Sequence, residues 1–454
     1  MPCIAAQPPV TFRQALRFWF KLGCISFGGP AGQIAIMHRE LVQQRHWISE
    51  RRFMHALNYC MLLPGPEAQQ LATYLGWLMH RTLGGVAAGA LFVLPSLVLL
   101  IGLSWAYMAY GHLSWMSAVF WGIKSAVAAL VLQAVQRMGS RALKTPQRAP
   151  LLWAIAVLGF LAVAFLQVPF PAVVLVAALT GALAQRWLPE QFALGAGHGT
   201  SSTGAPAARP SAWIDDQTPT PAHARFTPSR LARVLAVGAA LWLLPLAALL
   251  VVWGWDGTLA QMAWFFTKAA LLTFGGAYAV LPYVYQGAVE HFGWLNAAQM
   301  MDGLALGETT PGPLIIVVAF VGFVGGWGQA VLGEQALFYG AALAAIVVTW
   351  FTFLPSFIFI LAGGPLIEST HGKLQFTAPL TAISAAVVGV MASLAAFFVV
   401  HIARPGGPSG PLDFAALGLA LAAAWALMHK KWGVVPVIGV CALAGMLVRL
   451  VVQA

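Results

Sequence analysis

The chain has 454 residues, of which 60% are hydrophobic and only 8% are charged, and its mean hydropathy is +0.80. A soluble domain carries about 25% charged residues, so the composition excludes a water-soluble protein and predicts an all-α polytopic membrane protein. The formal net charge is +11, and the basic residues lie between apolar runs. Basic residues in that position set the orientation of a membrane protein, so the positive charge does not indicate nucleic-acid binding.

The first half opens with two interrupted apolar segments. Residues 12–36 are broken at Gly28-Gly29-Pro30, residues 53–78 are broken at Pro64-Gly65-Pro66, and the segment 38–52 between them is rich in arginine. The pattern of the first segment recurs in mid-chain, where no signal peptide could be cleaved, so we expect it to belong to the mature protein. Uninterrupted apolar runs follow at 84–110, 116–138, 151–167 and 170–187.

The composition changes after this half. Residues 189–230 are rich in Gly, Ser, Thr, Pro and Ala and cannot bury enough apolar surface to offset their ordering entropy, which predicts a disordered linker. The second half begins again with broken segments, at 258–284 and 299–325, and continues with runs at 336–362, 377–400, 412–428 and 433–452. The predicted units are an N-terminal repeat (1–188), the linker (189–230), an extra transmembrane helix (231–257) and a C-terminal repeat (258–454).

The two halves are copies of one unit. A shift of 247 positions superposes Lys21 on Lys268 and Ser26 on Thr273. The same shift, with no gap, superposes Gly28-Gly29 on Gly275-Gly276 and Pro64-Gly65-Pro66 on Pro311-Gly312-Pro313. Matching breaks in the two halves of a membrane protein indicate a transporter-like duplication with its functional centre at the breaks.

Basic residues are distributed unequally between the copies. Five arginines lie between Lys21 and Pro95, whereas the matching region 269–355 contains no Lys or Arg. The positive-inside tendency therefore places the matching loops on opposite faces, with the N-terminus and the linker in the cytoplasm. If residues 12–36 crossed the membrane completely, the arginines of 38–52 would lie outside the cell, against the positive-inside tendency. The sequence thus predicts two inverted-topology repeats whose broken helices, half or re-entrant, meet near mid-membrane, with about nine full spans besides.

The breaks carry the predicted chemistry. Within hydrocarbon every backbone N–H and C=O needs a partner, so a break survives there only where it lines protein or a wet cavity. A helix that restarts after Gly-Gly or Pro-Gly-Pro exposes N–H groups with partial positive charge, which suit an oxyanion. The predicted substrate-binding residues are Lys21, Ser26, Gly28, Gly29, Gln33, Pro64, Gly65, Lys268, Thr273, Gly275, Gly276, Thr310, Pro311 and Gly312.

Simpler explanations exist for the same residues. One isolated break is more often a packing kink, the two lysines could reach the membrane interface, and the hydroxyls could bond back to their own helices. Glu67 and Glu308 flank the Pro-Gly-Pro turns and are the proton-coupling candidates, although Glu67 could merely favour a helix N-terminus. The amides of Gln33, Gln69 and Gln70 are candidate polar lining.

Other chemistry is not indicated. The four cysteines are far apart with no CxxC pairing, the histidines show neither HxxxH nor HExxH spacing, and there is no phosphate-binding GxxxxGK[ST] loop. We therefore expect no cofactor, no metal site, no catalytic residues and no enzyme activity. Lys124 has no counterpart in the second copy, where Ile383 occupies the matching place, and it ranks below the lysines at the breaks.

The motifs resemble a known family. FGGPAGQIA and LLPGPEAQQLATYLGW in the first half, with FGGAYAVLP and ETTPGPLIIVVAFVGF in the second, resemble the chromate ion transporter family in its long form with two homologous halves. The resemblance implies a bacterial inner-membrane protein that exports chromate, a tetrahedral dianion similar to sulfate, and confers chromate resistance. The second copy reads FGGAYA where the first reads FGGPAG, so the two sub-sites need not be equivalent.

Export of a dianion does not require ATP. Moving one charge across 100 mV is worth about 2.3 kcal/mol, so two charges leaving a negative interior gain about 4.6 kcal/mol. We therefore expect a secondary transporter with alternating access, driven by the membrane potential, by a proton gradient, or by both. A sulfate or other oxyanion importer and a cation or drug exporter remain as alternatives, and a homodimer is compatible with the sequence but does not follow from it.

Overall fold

The computed structural model describes residues 9–27, 29–192, 212–216, 218–219, 221–274, 276–370, 377–405 and 409–453. Two predicted site residues, Gly28 and Gly275, and much of the predicted linker lie outside the described residues. The described part is helical throughout, and its only β-type pairing is an isolated bridge between Ile48 and Ile214. The predicted all-α fold is confirmed.

Seven helices form the first half. They are α1 (Phe12–Ile25), α2 (Gly29–His38), α3 (Glu50–Cys60), α4 (Glu67–Tyr110), α5 (Ser114–Ala142), α6 (Pro150–Ala164) and α7 (Phe170–Ala184). Helix α4 contains a kink where His80 and Arg81 leave helical geometry, so the run after Pro66 and the run predicted at 84–110 are joined in one element.

The remaining helices are α8 (Pro189–Phe192), α9 (Pro228–Trp253), α10 (Thr258–Leu272), α11 (Leu281–Tyr285), α12 (Ala297–Thr309), α13 (Val317–Gly328), α14 (Leu337–Thr370), α15 (Thr377–Ala403), α16 (Phe414–Met428) and α17 (Val434–Gln453). Five helices of the described chain, α4, α5, α9, α14 and α15, are long and apolar enough to cross a membrane, and five shorter apolar helices accompany them. The chain is therefore a multi-pass membrane protein.

The sequence repeat is matched by a repeat of local backbone conformation. Each half contains one six-residue π-helical segment, at Arg39–Gln44 and at Gln286–His291, and the two are related by the same shift of 247. The C-cap residues of α1 and α10 have nearly identical dihedrals: φ −82°, ψ 78° at Ser26 and φ −79°, ψ 78° at Thr273. The duplication therefore extends to irregular features that hydrophobic patterning does not specify.

The two halves interlock. Helix α14 of the second half packs against α4, and the Tyr59 hydroxyl donates to the carbonyl of Phe359 at 3.0 Å. Glu368 on α14 accepts from the Tyr74 hydroxyl at 2.6 Å and pairs with Arg52 at 2.9 Å. These contacts bury charged and polar groups only in pairs, as a low-dielectric interior requires.

Part of the predicted linker packs onto the first repeat. The backbone N–H of Ile214 donates to the Trp47 carbonyl at 3.0 Å, and Ser49 N–H donates to the Ile214 carbonyl at 3.0 Å. Ile214 is buried, so an apolar side chain anchors this stretch of an otherwise polar segment. The ring of His223 lies 2.9 Å from the Trp77 carbonyl, and burial, more than nearby arginines, lowers the pKa of His223.

Candidate functional site

Each predicted break coincides with the end of a helix. In the first half α1 ends before Ser26 and α4 begins after Pro66; in the second half α10 ends before Thr273 and α12 ends before Thr310. Gly29 begins α2 and Gly276 precedes a 3₁₀ turn, both with positive φ, at 73° and 104°. Backbone donors and acceptors at these ends are free of intrahelical partners and must be satisfied elsewhere.

They are satisfied by the other half of the chain. Gly65 N–H donates to the Thr273 carbonyl at 2.7 Å, and Gly312 N–H donates to the Ser26 carbonyl at 2.8 Å. The shift of 247 that relates Gly65 to Gly312 also relates Ser26 to Thr273. The two hydrogen bonds are therefore equivalent, because in each of them a glycine of one copy donates to the matching break residue of the other copy. The Pro-Gly-Pro turn of each copy is thereby tied to the Gly-Gly break of the other. We call this assembly the break cluster; its described members are Ser26, Phe27, Gly29, Pro64, Gly65, Pro66, Thr273, Phe274, Gly276, Pro311, Gly312 and Pro313.

Both central glycines are required by their surroundings. Gly65 has φ +125° and Gly312 has φ +104°, conformations that side chains rarely adopt. A Cβ on Gly312 would also clash with the Ser96 hydroxyl, and a Cβ on Gly65 would clash with the Ser356 hydroxyl.

Ser96 and Ser356 are themselves a repeated pair that the sequence predictions missed as site residues. Ser96 donates its hydroxyl to the Pro311 carbonyl, and Ser356 lies 3.4 Å from the Gln70 amide nitrogen. Both serines are buried. The signal was present, since each follows a repeated Leu-Pro pair, but only their contacts show that they reach the Pro-Gly-Pro turns.

Several buried polar atoms beside the break cluster lack a partner among the described residues. They are the hydroxyl of Ser26 and the amide oxygens of Gln33, Gln69 and Gln70. The amide nitrogens are engaged: that of Gln33 with the carbonyls of Ser26 and Gly312, that of Gln70 with the Pro64 carbonyl at 2.7 Å. An unsatisfied buried polar atom costs about 1–3 kcal/mol, so these groups are suited to a polar ligand. The Ser26 hydroxyl can donate to a ligand, whereas the three amide oxygens can only accept from one.

The two threonines behave differently from Ser26. The Thr273 hydroxyl donates to the Ala269 carbonyl at 2.6 Å, and the Thr310 hydroxyl donates to the Gly307 carbonyl at 2.9 Å. Both bond back to their own helices, which is the simpler of the two explanations considered for hydroxyls. The backbone N–H groups of both threonines are engaged as well, with the carbonyls of Ala270 and Leu306, so neither residue has a free donor.

Charged residues surround the cluster. Glu308 is buried and accepts from the Tyr278 hydroxyl at 2.5 Å, while a Glu67 oxygen lies 3.7 Å from where a Cβ on Gly276 would stand. Arg137 and Arg141 of α5 lie within electrostatic range of Glu308 and Glu67, respectively. The two arginines are four residues apart, hence on one helix face. The sequence analysis did not select Arg137 or Arg141 as site residues, although their spacing could have suggested a shared face.

Lys21 and Lys268 are not joined to the break cluster by any contact among the described residues. Both are exposed on the faces of α1 and α10 that point away from the core. The Lys268 ammonium lies 5.9 Å from the centre of the Trp264 ring, a cation–π contact typical of the membrane interface. This geometry favours the interfacial explanation for Lys268 over a ligand role.

Comparison with known proteins identifies relatives of the chain by sequence. The model of a family described as "Chromate transporter" matches residues 13–182 and 260–446. A chromate transport protein of Pseudomonas aeruginosa is 34% identical over 98% of this chain and 94% of its own length. A probable chromate transport protein of Synechococcus elongatus is 31% identical over 97% and 96%, and a chromate transport protein of Cupriavidus metallidurans is 29% identical over 86% and 82%. No solved structure matches the chain.

Proposed function

The chain belongs to the chromate transporter family, and we propose that it exports chromate across the bacterial inner membrane as a secondary transporter. The family resemblance found in the sequence is confirmed, and chromate transport is the role its relatives carry in their names. Direction, driving force and the residues that bind the anion are the proposed part. The observation that supports the proposed site is the pair of hydrogen bonds between Gly65 and Thr273 and between Gly312 and Ser26.

The proposed substrate site is the break cluster. Helix α4 begins there with its first N–H groups directed away from the helix, and the Ser26 hydroxyl is free to donate. Arg137 and Arg141 draw the dianion in from the cytoplasm by long-range attraction, and Glu67 and Glu308 lie within electrostatic range of these arginines. The proton-coupling role expected for the two glutamates stays a prediction.

The proposed transport step is a movement of one inverted repeat against the other. The two hydrogen bonds from Gly65 to Thr273 and from Gly312 to Ser26, which we call the crossed hydrogen bonds, tie the repeats together at the break cluster. A change in the relative position of the repeats must therefore break or re-form both. Such paired elements at the interface of inverted repeats are the usual place for a substrate in alternating access. The membrane potential supplies about 4.6 kcal/mol per 100 mV for the dianion alone, which is sufficient without ATP.

The test is transport in membrane vesicles of defined orientation. Inside-out vesicles from cells that carry the protein should take up labelled chromate when the lumen is made positive, and a collapsed potential should remove the uptake. Uptake confined to right-side-out vesicles would instead identify an importer. Unlabelled sulfate added in excess decides whether the site distinguishes the two tetrahedral dianions.

A further inference from the structure

A second buried charged cluster lies outside the break cluster. Asp302 on α12 is 2% exposed, and its Oδ2 accepts from the Tyr107 hydroxyl at 2.9 Å and lies 3.5 Å from the Lys124 ammonium. Asp302 precedes Glu308 by six residues, which is about 9 Å along a helix axis. The proposed binding site does not use this group.

The two oxygens of Asp302 differ in their surroundings. Oδ2 receives both contacts, while Oδ1 is buried and has no partner among the described residues. The contact with Lys124 is longer than the 2.7–2.9 Å, roughly, of a strong charge-assisted hydrogen bond. Since an ionised carboxylate with one oxygen unsatisfied is costly in a low-dielectric interior, Oδ1 is a natural place for a proton.

Few other titratable groups face this pair. From α15, His401 lies within electrostatic range of Lys124. Trp121, one turn before Lys124 on α5, donates to Asp413 and is covered by Arg449 of α17. From α13 the neighbour is aromatic, since Phe320 contacts the ring of Tyr107, and Phe120 of α5 contacts the same ring. Lys124 is thus the charged group that directly opposes Asp302.

A cavity lies beside the start of α12, the helix that carries Asp302. An open cavity of about 480 Å³ is lined by Met108, which follows Tyr107, and by Asn296 and Gln299 at the start of α12. Gln299 is three residues before Asp302, so the cavity ends about one helical turn from the carboxyl group. This is the face of the molecule that bears the arginine-free loops of the second copy, which we assign to the outside.

We propose that Asp302 carries a proton that travels with the oxyanion, an inference that rests on the proposed function. When Asp302 is ionised, the pair has no net charge and the carboxylate attracts the Lys124 ammonium. With a proton on Asp302 the pair has one net positive charge, and the ammonium is free to attract the dianion. Lys124 is partly buried, and its ammonium is unfavourable there without an anion, so the empty transporter returns with the pair formed. Proton and oxyanion therefore move in the same direction, and the exported charge falls from two to one.

The experiment uses the purified full chain in proteoliposomes that enclose a pH-sensitive dye. Chromate is added outside at alkaline pH, with a potential imposed by potassium and valinomycin. We expect the lumen of wild-type vesicles to acidify as chromate enters. Asp302→Asn cannot form the pair with Lys124, so it should carry chromate more slowly and without acidification for each chromate carried. Protons taken or released by chromate itself are the same in both, so the difference reports Asp302. Asp256→Asn, which alters an exposed acid, is the matched control and should acidify like wild type.

The outcomes separate this inference from the proposed function. Chromate entry without acidification in wild type, or equal acidification in Asp302→Asn, overturns the inference and leaves chromate transport standing. No chromate entry in wild type overturns the proposed function. If Asp302→Asn is not inserted or is inactive, Tyr107→Phe removes only the hydroxyl that stabilises the ionised carboxylate. Its acidification should then persist to higher pH than in wild type, and an unchanged pH profile contradicts the proposal.

Discussion

At the scale of single residues, the two glycines of the Pro-Gly-Pro turns have the least freedom to change. Gly312 combines a positive φ with direct contact to Ser96, and Gly65 combines the same features with contact to Ser356. A side chain at either position adds about 1–2 kcal/mol of backbone strain to the steric clash. This strain would distort the turn and weaken its hydrogen bond to the other half of the chain.

We therefore expect Gly312→Ala to abolish chromate resistance, because the turn can no longer keep its hydrogen bond to Ser26. Resistance and the amount of membrane-inserted protein are measured together. Gly418→Ala is the matched control, because a Cβ at Gly418 meets open space and its φ is ordinary. Full resistance in Gly312→Ala would show that the crossed bonds are not needed.

The arginines of α5 make a second residue-scale prediction. Arg137→Gln and Arg141→Gln should each raise the KM for chromate about tenfold, equivalent to about 1.4 kcal/mol, with a smaller effect at high salt. Lys268→Gln should leave KM within about twofold, since Lys268 is exposed beside Trp264. The opposite ranking would return the lysine to the site and remove the arginines from it.

At the scale of helices and turns, local chemistry predicted more than hydrophobic pattern did. Gly-Gly and Pro-Gly-Pro were sufficient to place four helix ends, because proline lacks a backbone donor and glycine permits the positive φ found at Gly29, Gly65, Gly276 and Gly312. Membrane helices are apolar on most sides, so periodicity could not show which faces pack. The kink at His80 and Arg81 and the π-helical segment Arg39–Gln44 carry no comparable residue signal, and the sequence analysis missed both.

The site was predicted in part for the same reason. Breaks and their polar neighbours could be read along the chain, but the crossed pairing joins residues more than 200 positions apart, which spacing alone does not reveal. The roles of Ser96 and Arg137 depend on those long-range contacts. Conversely, Lys21 and Lys268 attracted attention because charge is rare in an apolar run, and the structure shows them on the exposed side.

The docked part of the linker gives a prediction for an element. Ile214→Asp should release residues 212–216 from the loop that contains Trp47 and Ser49, because a carboxylate replaces the buried anchor. Limited proteolysis of the protein in detergent should then cut this stretch faster than in wild type. Phe226→Asp, at a more exposed position of the same segment, is the control. Equal cutting rates in wild type and Ile214→Asp would show that Ile214 does not hold the linker.

At the scale of the whole molecule, the arrangement of charge and the repeat support one another. The first copy bears arginines on its polar loop and the second copy bears none, yet both loops form a π-helical segment at matching positions. This difference in loop charge is what opposite insertion predicts, since only the cytoplasmic loop needs basic residues. The crossed hydrogen bonds at the centre then join equivalent residues of the two copies, since the turn of each copy binds the break of the other.

Opposite insertion makes the last prediction. Gln44 and His291 end the two π-helical segments, are related by the shift of 247, and are both exposed. In a background with the four native cysteines replaced, His291→Cys should react with a membrane-impermeant maleimide added to intact cells, because its loop faces outward. Gln44→Cys should react only after the membrane is opened. Each variant replaces one exposed side chain at the matching position of its copy, so each serves as the control for the other. Labelling of both from the same side would rule out inverted repeats, and with them the alternating exposure of a site shared by the two copies.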